Sequence, residues 1–260
     1  MSRALGWVLL VVPLLVALGG PLVAGSVEPV GAPSAPPGAG HPLGTDVLGR
    51  DVLAVVLSGG LSVVGFTAAA LVLAYGVGVP VGLVAAGQRR VVDEVLMRGL
   101  DLVLAFPSLL VLMVLAATGH RGAVVLVFTA AAVQVPAVVR VVRAAALAPG
   151  CRVAVEALYL QGQSWWRIHV GYVARSTLGP VATDAGTRVA LVLGLVASAN
   201  FLGLGLPSGS VDWAVVIDRN SDALYAQPAV VLVPAALLVG LCVGANLVAD
   251  SVLGRGRRSG

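Results

Sequence analysis

Long apolar stretches alternate with short polar ones along almost the whole chain. An apolar run of about 20 residues is long enough to cross the hydrocarbon core of a bilayer as a helix. Runs of about this length lie at 7–24, 61–86, 102–118, 122–142, 182–206 and 228–249. The pattern therefore predicts an all-α integral membrane protein with about six transmembrane helices.

Composition agrees with a membrane protein. Hydrophobic residues make up 58% of the 260 residues and charged residues 11%, whereas soluble domains contain roughly 25% charged residues. The net charge of +4 does not indicate a nucleic acid partner, because the arginines are dispersed at the ends of apolar runs, as membrane topology requires. Cys151 and Cys242 have no partners at metal-ligand spacing, so we predict neither a metal site nor a disulfide framework.

The placement of the arginines predicts the orientation. If the N-terminus is inside, twelve arginines fall in inner segments and only Arg50, Arg121 and Arg219 in outer ones, with Arg188 inside a helix. Inner segments of membrane proteins carry an excess of basic residues. We therefore expect both termini and the polar segment 151–180 of this multi-pass protein to be cytoplasmic.

The chain divides into four segments on these grounds. Residues 1–25 are predicted to be a retained transmembrane anchor, although Leu22-Val23-Ala24-Gly25 also fits the cleavage site of a signal peptide. Residues 26–57 begin with a proline-rich stretch that reads as an extended linker on the outer side. Residues 58–250 form the main transmembrane domain, and residues 251–260 form a basic cytoplasmic tail.

A polar segment at 148–180 carries the first specific motif. Glu156-Ala157-Leu158 is followed by Gly162 and then by Ile168. This arrangement resembles the EAA loop of ABC-importer permeases, in which two short helices joined by a glycine dock into a cleft on a cytoplasmic ATPase. Glycine suits such an elbow because it adopts dihedral angles closed to residues with a Cβ. The residues that the resemblance assigns to ATPase coupling are Glu156, Ala157, Gly162, Ser164, Arg167 and Ile168.

The loop departs from the family pattern at its end. Ala174-Arg175 stands where the family has Leu-Pro, which removes a proline that would stiffen the exit from the loop. Leu158 replaces the second alanine of the motif but is also a good helix former. The alternative is an amphipathic loop whose Trp165 and Trp166 rest among lipid headgroups.

Two further segments resemble the same family. The sequence from His41 to Leu53, HPLGTDVLGRDVL, resembles the segment before the second helix in the second permease subunit of the dipeptide, oligopeptide and nickel branch. Here Thr45 or Asp46 can cap a short helix, and His41, without a cluster of other ligands, is interpreted as structural. A second segment leads to Phe106-Pro107. The motif residues of both are Gly44, Thr45, Asp46, Gly49, Arg50, Asp51, Asp93, Arg98, Asp101 and Pro107.

Several polar residues lie within apolar runs. Arg98 and Asp101 share a helix face and are predicted to pair at the inner surface. Asp184 and Arg188 are spaced to pair near the cytoplasmic end of the fifth helix. Gln134, Asn200 and Asn246 either face a pathway or serve packing.

The segment Phe201-Leu-Gly-Leu-Gly205, followed by Trp213, resembles the outer end of the family's fifth helix. The family places an acidic residue shortly before it, where this chain has Val196. The spacings Gly78-x-x-x-Gly82 and Gly240-x-x-x-Gly244 predict close helix packing.

The resemblance covers residues 41–250 and implies a permease subunit of an ATP-driven ABC importer, a multi-pass protein of the bacterial cytoplasmic membrane. It implies a second homologous permease subunit, two ABC ATPase subunits and an extracytoplasmic substrate-binding protein as partners. The chain lacks the phosphate-binding pattern G-x-x-x-x-G-K-[ST]. ATP and magnesium are therefore assigned to the partner ATPases, and we expect no cofactor on this chain and no catalysis by it.

Short peptides are the expected cargo, with nickel or a nickel chelate as the alternative. A path for a bare metal ion would offer ligands at depth, and the spanning runs supply few: Gln134, Asn200, Asn246 and Cys242. Two readings from other classes are an intramembrane enzyme and a non-transporting scaffold. The enzyme would have to use His120, His169 or Asp184, which lie in different runs without motif spacing.

Overall fold

A computed structural model describes residues 2–38, 40–87 and 90–256. Their regular structure is helical, with a few isolated β-bridges between residues 29 and 51. The elements are α1 Ser2–Val23, α2 Val52–Gly87, α3 Arg90–Ala105, α4 Ser108–Ala117, α5 Ala123–Ala146, α6 Pro149–Leu160, α7 Ala174–Phe201, α8 Trp213–Arg219 and α9 Ala229–Gly256, with a π-helical segment at Arg167–Val173 and a 3₁₀ turn at Ser221–Ala223. Arg89 and the last residues of the predicted basic tail, 257–260, lie outside the described residues.

Among the described residues, five helical stretches are long and apolar enough to cross a membrane, and α3 with α4 makes a sixth if the two are one span. The five are Ala4–Val23, Val52–Gly87, Ala123–Ala146, Arg167–Phe201 and Ala229–Ser251. The prediction of an all-α protein with about six spans is confirmed.

The third predicted span is not a straight helix. The apolar run 102–118 is divided between the end of α3 and the ten-residue α4, which are bent by 69° relative to each other. The break falls at Phe106-Pro107 because proline lacks a backbone N–H and restricts the residue before it. The prediction of one continuous helix here was wrong.

Helix α2 is the longest element, with 36 residues. It begins at Val52, ahead of the apolar run at 61, because the Asp51 carboxylate accepts a hydrogen bond from the Ala54 N–H at 3.2 Å. A Cβ on Gly78 or Gly82 would lie 2.7 Å from Val138 or Val142 of α5. The close packing predicted from the glycine spacing is therefore present between α2 and α5.

The terminal helices pack against each other and against α2. Gly240 and Gly244 of α9 meet the backbone of Leu9 and Leu10 of α1, which is the second glycine contact predicted from spacing. Ala17 of α1 is fully buried in a cluster with Val63 of α2. Helix α1 is thus an integral part of the helical bundle.

Candidate functional site

The segment 149–173, named here the coupling elbow, is a helix, a tight turn and a second helical limb. Helix α6 ends at Leu160, and Gly162 adopts φ +74°. The Gly162 N–H donates to the Tyr159 carbonyl at 3.0 Å and the Gln163 N–H to the Leu158 carbonyl at 3.2 Å. These two bonds form a Schellman motif, which requires a left-handed residue at the glycine position. The helix–glycine–helix shape expected from the sequence is present.

The second limb continues without a break into the membrane. The π-helix Arg167–Val173 leads directly into α7, and the two together count as one 35-residue span. No proline interrupts the exit at Ala174-Arg175, so the backbone hydrogen bonds can continue. Ile168 is fully buried beside Val138 and Val142, which anchors the elbow to the helical bundle.

The remaining faces of the coupling elbow are open to the outside of the chain. Leu160 is 91% exposed, Trp166 71% and Val153 68%, whereas Trp165 is partly buried. Ala157 and Ser164 are exposed as well. In a membrane protein such side chains are available for contact with lipid or with another protein.

Charged and polar side chains border this apolar surface. Arg152 donates to Glu156 at 3.3 Å, and Arg167 donates to Gln163 at 3.1 Å. A groove of about 610 Å³ runs between the elbow and the start of α7, and Arg167 and Arg175 both line it. The elbow therefore presents exposed apolar side chains together with exposed arginines.

A polar cluster joins three helices half-way through the bundle. Asp184 of α7 accepts hydrogen bonds from the Tyr75 hydroxyl at 2.6 Å and from Arg188 Nε at 2.5 Å. Arg188 Nη1 donates to Gln134 Oε1 of α5 at 2.9 Å. Charges at membrane depth pair in this way because an isolated charge there is costly.

This cluster lies near the middle of both α5 and α7. Asp184 and Arg188 were expected near the cytoplasmic end of their helix, but α7 extends from Ala174 to Phe201 and Arg188 lies at its middle. Gln134 likewise lies at the middle of α5. Helix α7 begins well before the apolar run at 182, directly after the π-helical segment of the elbow, and the depth of this pair in the membrane stays a prediction.

Asp46 is the centre of the polar structure at the opposite end of the bundle. Its side chain is fully buried, and Oδ1 accepts the backbone N–H groups of Leu48 at 2.8 Å and Arg50 at 2.9 Å. Oδ2 accepts Arg50 Nε at 2.9 Å and Arg219 Nη2 at 3.2 Å. The expected helix cap at Thr45 or Asp46 was wrong, since Asp46 closes a non-helical turn and Asp51 caps α2 instead.

This turn needs two glycines and a buried threonine. Gly44 and Gly49 have φ values of +76° and +75°, which residues with a Cβ rarely adopt. Thr45 Oγ1 donates to the Ala32 carbonyl at 2.6 Å and accepts the Ala35 N–H at 2.8 Å. The motif residues thus fold the linker back on itself rather than leaving it extended as expected.

Residues 26–51 and 203–228, together named the cap, are held by long-range hydrogen bonds. Arg50 Nη1 donates to the Gly209 carbonyl at 3.3 Å, and Arg219 Nη1 donates to the Ser208 carbonyl at 2.7 Å. Gln227 Nε2 donates to the Leu43 carbonyl at 2.7 Å. Arg219 and Gln227 were not predicted as part of this site, because no local pattern links them to residues about 180 positions earlier.

Asn200, near the end of α7, and Asp212, just before α8, are buried polar residues where the cap meets the bundle. Asn200 is buried, and its Oδ1 accepts the Leu206 N–H at 3.2 Å, which shapes the turn after α7. Asp212 begins α8 by accepting the Ala214 N–H at 3.0 Å. Burial raises the pKa of the Asp212 carboxyl, and its hydrogen bonds to Ser62 and to backbone N–H groups oppose that rise.

The end of α3 pairs differently from the prediction. Asp93 accepts Arg143 Nε of α5 at 2.6 Å, and Asp101 pairs with Arg140 of α5. Arg98 is exposed and pairs with Glu94 at 3.5 Å. The expected Arg98–Asp101 pair was wrong, because α5 supplies two arginines on the face of α3 that carries the aspartates.

The structure also places three further residues that the sequence analysis singled out. Asn246 lies on the exposed side of α9. Cys151 is buried with its Sγ 3.3 Å from the Ser176 hydroxyl. His41 Nδ1 lies 4.0 Å from the Asp51 carboxylate. No group of three or more His, Cys, Asp or Glu among the described residues could hold a metal ion.

Comparison with known proteins gives consistent matches. The family described as "Binding-protein-dependent transport system inner membrane component" matches residues 78–255. A Brucella suis protein named as a peptide transport system permease is 30% identical, over 96% of this chain and 86% of that protein. The dipeptide transport system permease protein DppC of Alkalihalophilus pseudofirmus is 28% identical, over 92% of this chain and 80% of its own length. The glutathione transport system permease protein GsiD of Pectobacterium atrosepticum is 24% identical, over 83% of this chain and 72% of its own length.

Proposed function

The chain belongs to the inner membrane components of binding-protein-dependent transport systems, and we propose that it forms the path for short peptides in one such importer. Members of this family are multi-pass inner membrane permeases that bind no cofactor, and ATP is hydrolysed by ATPase partners. The predictions of an ABC permease and of a non-enzymatic role are confirmed. Membership also argues against the intramembrane enzyme and the scaffold. The architecture implies an ATPase and a substrate-binding protein as partners.

The peptide assignment is carried by the relatives that match almost the whole chain. Their names specify peptides, dipeptides and glutathione, which is itself a short peptide. The spanning helices support the same cargo, since the polar side chains at mid-depth, Gln134, Asp184 and Arg188, bond to one another. A bare metal ion would need free oxygen, nitrogen or sulfur ligands along its path.

Uptake in cells that carry the complete transport system tests the cargo. Deletion of this gene is expected to abolish uptake of labelled di- and tripeptides, and the intact gene supplied in trans is expected to restore it. Labelled nickel, free and with histidine as chelator, is the comparison. If deletion removes nickel uptake and leaves peptide uptake unchanged, the peptide assignment is wrong.

The proposed role of the coupling elbow is to dock the ATPase. Its exposed apolar side chains, Leu160, Trp166 and Val153, support this role because a protein cleft would bury them. Glu156 and Arg167 at its edge supply polar contacts, and Ile168 ties the elbow to α5. In the headgroup alternative, Trp166 and Leu160 lie among lipid headgroups instead. The two proposals therefore differ in whether binding of the ATPase requires the turn at Gly162.

Gly162→Val tests the docking proposal. No atom lies within 4 Å of a Cβ placed at Gly162, so the only cost is the left-handed backbone, about 1–2 kcal/mol and more for a β-branched residue. We expect the variant to insert normally but to lose ATPase subunits on purification and to lose ATP-driven uptake. Gly150→Val is the matched control, since Gly150 also has open space and no positive φ. Equal retention of ATPase by both variants would support the headgroup alternative.

We infer that the coupling elbow and both termini are cytoplasmic and that the cap is extracytoplasmic. The arginine distribution supports this orientation. Reporter fusions at Gly40, Gly162 and Ser221 are expected to report outside, inside and outside. A cytoplasmic reading at Gly40 would reverse the orientation and remove the elbow from the ATPase. A second homologous permease subunit completes the proposed path, because one six-helix bundle is too small to enclose a peptide.

A further inference from the structure

We propose that α2 is a rigid connection between the coupling elbow and the cap, and that Gly87 and His169 are the positioning residues that seat its elbow end. The inference rests on the proposed docking of the ATPase at the elbow. It adds a route by which a conformational change in the ATPase is transmitted through α2 to the cap.

The elbow end of α2 has no free space. A Cβ on Gly87 would lie 2.6 Å from His169 Nε2 and 3.1 Å from Trp165 Nε1. A contact below 3.0 Å can be relieved only if the Gly87 backbone or the facing side chain moves. The backbone of the last residue of α2 therefore rests directly on two side chains of the elbow.

These two side chains are held in place by each other. The rings of His169 and Trp165 stack with centroids 4.4 Å apart and planes 15° apart. His169 Nδ1 lies 3.1 Å from the Trp165 carbonyl oxygen, and His169 is only 4% exposed. A buried, stacked and hydrogen-bonded ring cannot give way easily, so a displacement of the elbow pushes on α2.

The cap end of α2 is held equally closely. Trp213 is fully buried, and its Nε1 donates to the Val56 carbonyl at 2.7 Å. A Cβ on Gly60 would lie 2.5 Å from Trp213 Cζ2. Ser62 donates to Asp212 at 2.5 Å. Trp213 and Asp212 begin α8, whose last residue Arg219 bonds to Asp46.

Between these two contacts α2 is one continuous helix, with Pro80 in its interior. Its 36 residues span about 54 Å at 1.5 Å per residue. The third span, by contrast, is bent by 69° at Pro107. A movement at one end of that span is therefore not transmitted in a straight line to the other end. Helix α7 also joins elbow and cap, by covalent continuity through the π-helix. Helix α2 is covalently continuous with the cap at Val52, but its contact with the elbow is not covalent. That contact depends on the packing at Gly87 and can be broken there selectively.

The test uses the purified complete transporter in proteoliposomes, with an environment-sensitive fluorophore on Ser221→Cys in the cap and with Cys151 and Cys242 replaced by serine. Addition of ATP, magnesium and vanadate should change the fluorescence in the otherwise wild-type protein. Gly87→Ala should reduce this change at least twofold while the ATPase subunits remain bound. Gly76→Ala is the matched control, because a Cβ on Gly76 of the same helix meets nothing within 4 Å, and it should leave the change intact.

A second substitution separates transmission from general damage. His169→Ala removes the nearest atoms facing Gly87, so the Gly87→Ala/His169→Ala double variant should recover at least half of the lost fluorescence change. Equal changes in the Gly87→Ala and Gly76→Ala proteins would overturn the inference, as would loss of the ATPase from the Gly87→Ala complex alone, since the contact would then only maintain the elbow. Failure of the ATPase to copurify with the wild-type chain would instead refute the docking proposal.

Discussion

Replacement of Asp46 by asparagine removes one buried charge and leaves two others in place. The carboxylate is fully buried and bonds to both Arg50 and Arg219 through Oδ2. Asparagine has the same shape, and its carbonyl oxygen can keep the Oδ1 bonds to the Leu48 and Arg50 N–H groups. Its amide group, however, would turn a donor toward two guanidinium groups.

The structure sets the size of the expected effect. Removing one partner of a buried ion pair costs about 3–5 kcal/mol. Arg50 and Arg219 keep their bonds to the Gly209 and Ser208 carbonyls, so we expect the lower end of that range. At about 2–4 °C per kcal/mol for a chain of 150–250 residues, a loss of about 3 kcal/mol lowers the unfolding midpoint by about 6–12 °C.

Thermal unfolding of the purified protein in detergent measures this effect, with tryptophan fluorescence as the signal because Trp213 is buried in α8, within the cap. Glu28→Gln is the matched control, since it makes the same charge change at an exposed position of the same segment. The control should change stability by no more than about 0.5 kcal/mol. If Asp46→Asn unfolds within 1 °C of Glu28→Gln, the buried carboxylate does not hold the cap together.

Three further predictions use the same unfolding assay. Because burial raises the pKa of Asp212 above its ordinary 3.8, the native state holds more protons than the unfolded chain just above that pH. The Asp212 contribution to stability therefore falls as pH rises through this window. Asp212→Asn should abolish the decline, and parallel pH profiles for variant and wild type would contradict it. Arg188→Gln should cost about 3 kcal/mol by leaving Asp184 without its cation, and an Asp184→Asn/Arg188→Gln double variant that is no more stable than the single one would disprove this. Gly78→Ala should cost about 1–3 kcal/mol by overpacking against α5, whereas a loss no larger than that of Gly76→Ala would refute the close contact.

The spans and the glycine contacts were predictable because both depend on local sequence. Run length alone determines whether a helix can cross a bilayer, and a small residue every fourth position lets two helices approach along one face. The break at Phe106-Pro107 was also visible in the sequence. It was missed because hydropathy counted residues 102–118 as one apolar run and ignored the missing N–H of Pro107.

Partner choice among charged residues could not be predicted in the same way. Arg98 lies three residues from Asp101, yet Asp101 pairs with Arg140, 39 positions away. Arg50 and Arg219 share Asp46 across 173 positions of chain. Local spacing indicates which side chains can meet. The packing of α3 on α5, or of α8 on the turn at Asp46, decides which of them do. The division of the chain into four segments remains a prediction.

Val196 stands where the resemblance drawn from the sequence implies an acidic residue. Val196 is fully buried in an apolar cluster with Ala70, Leu126 and Val192. An acidic residue at that point would lose its hydration among apolar neighbours, which is costly without a paired cation. The charged pair of this helix instead lies at Asp184 and Arg188, eight or more residues nearer the elbow. At 1.5 Å per residue that is a displacement of about 12 Å or more along α7. Any charge-dependent step along the path is therefore expected at the depth of Gln134, where three helices meet, and not beside the turn at Phe201.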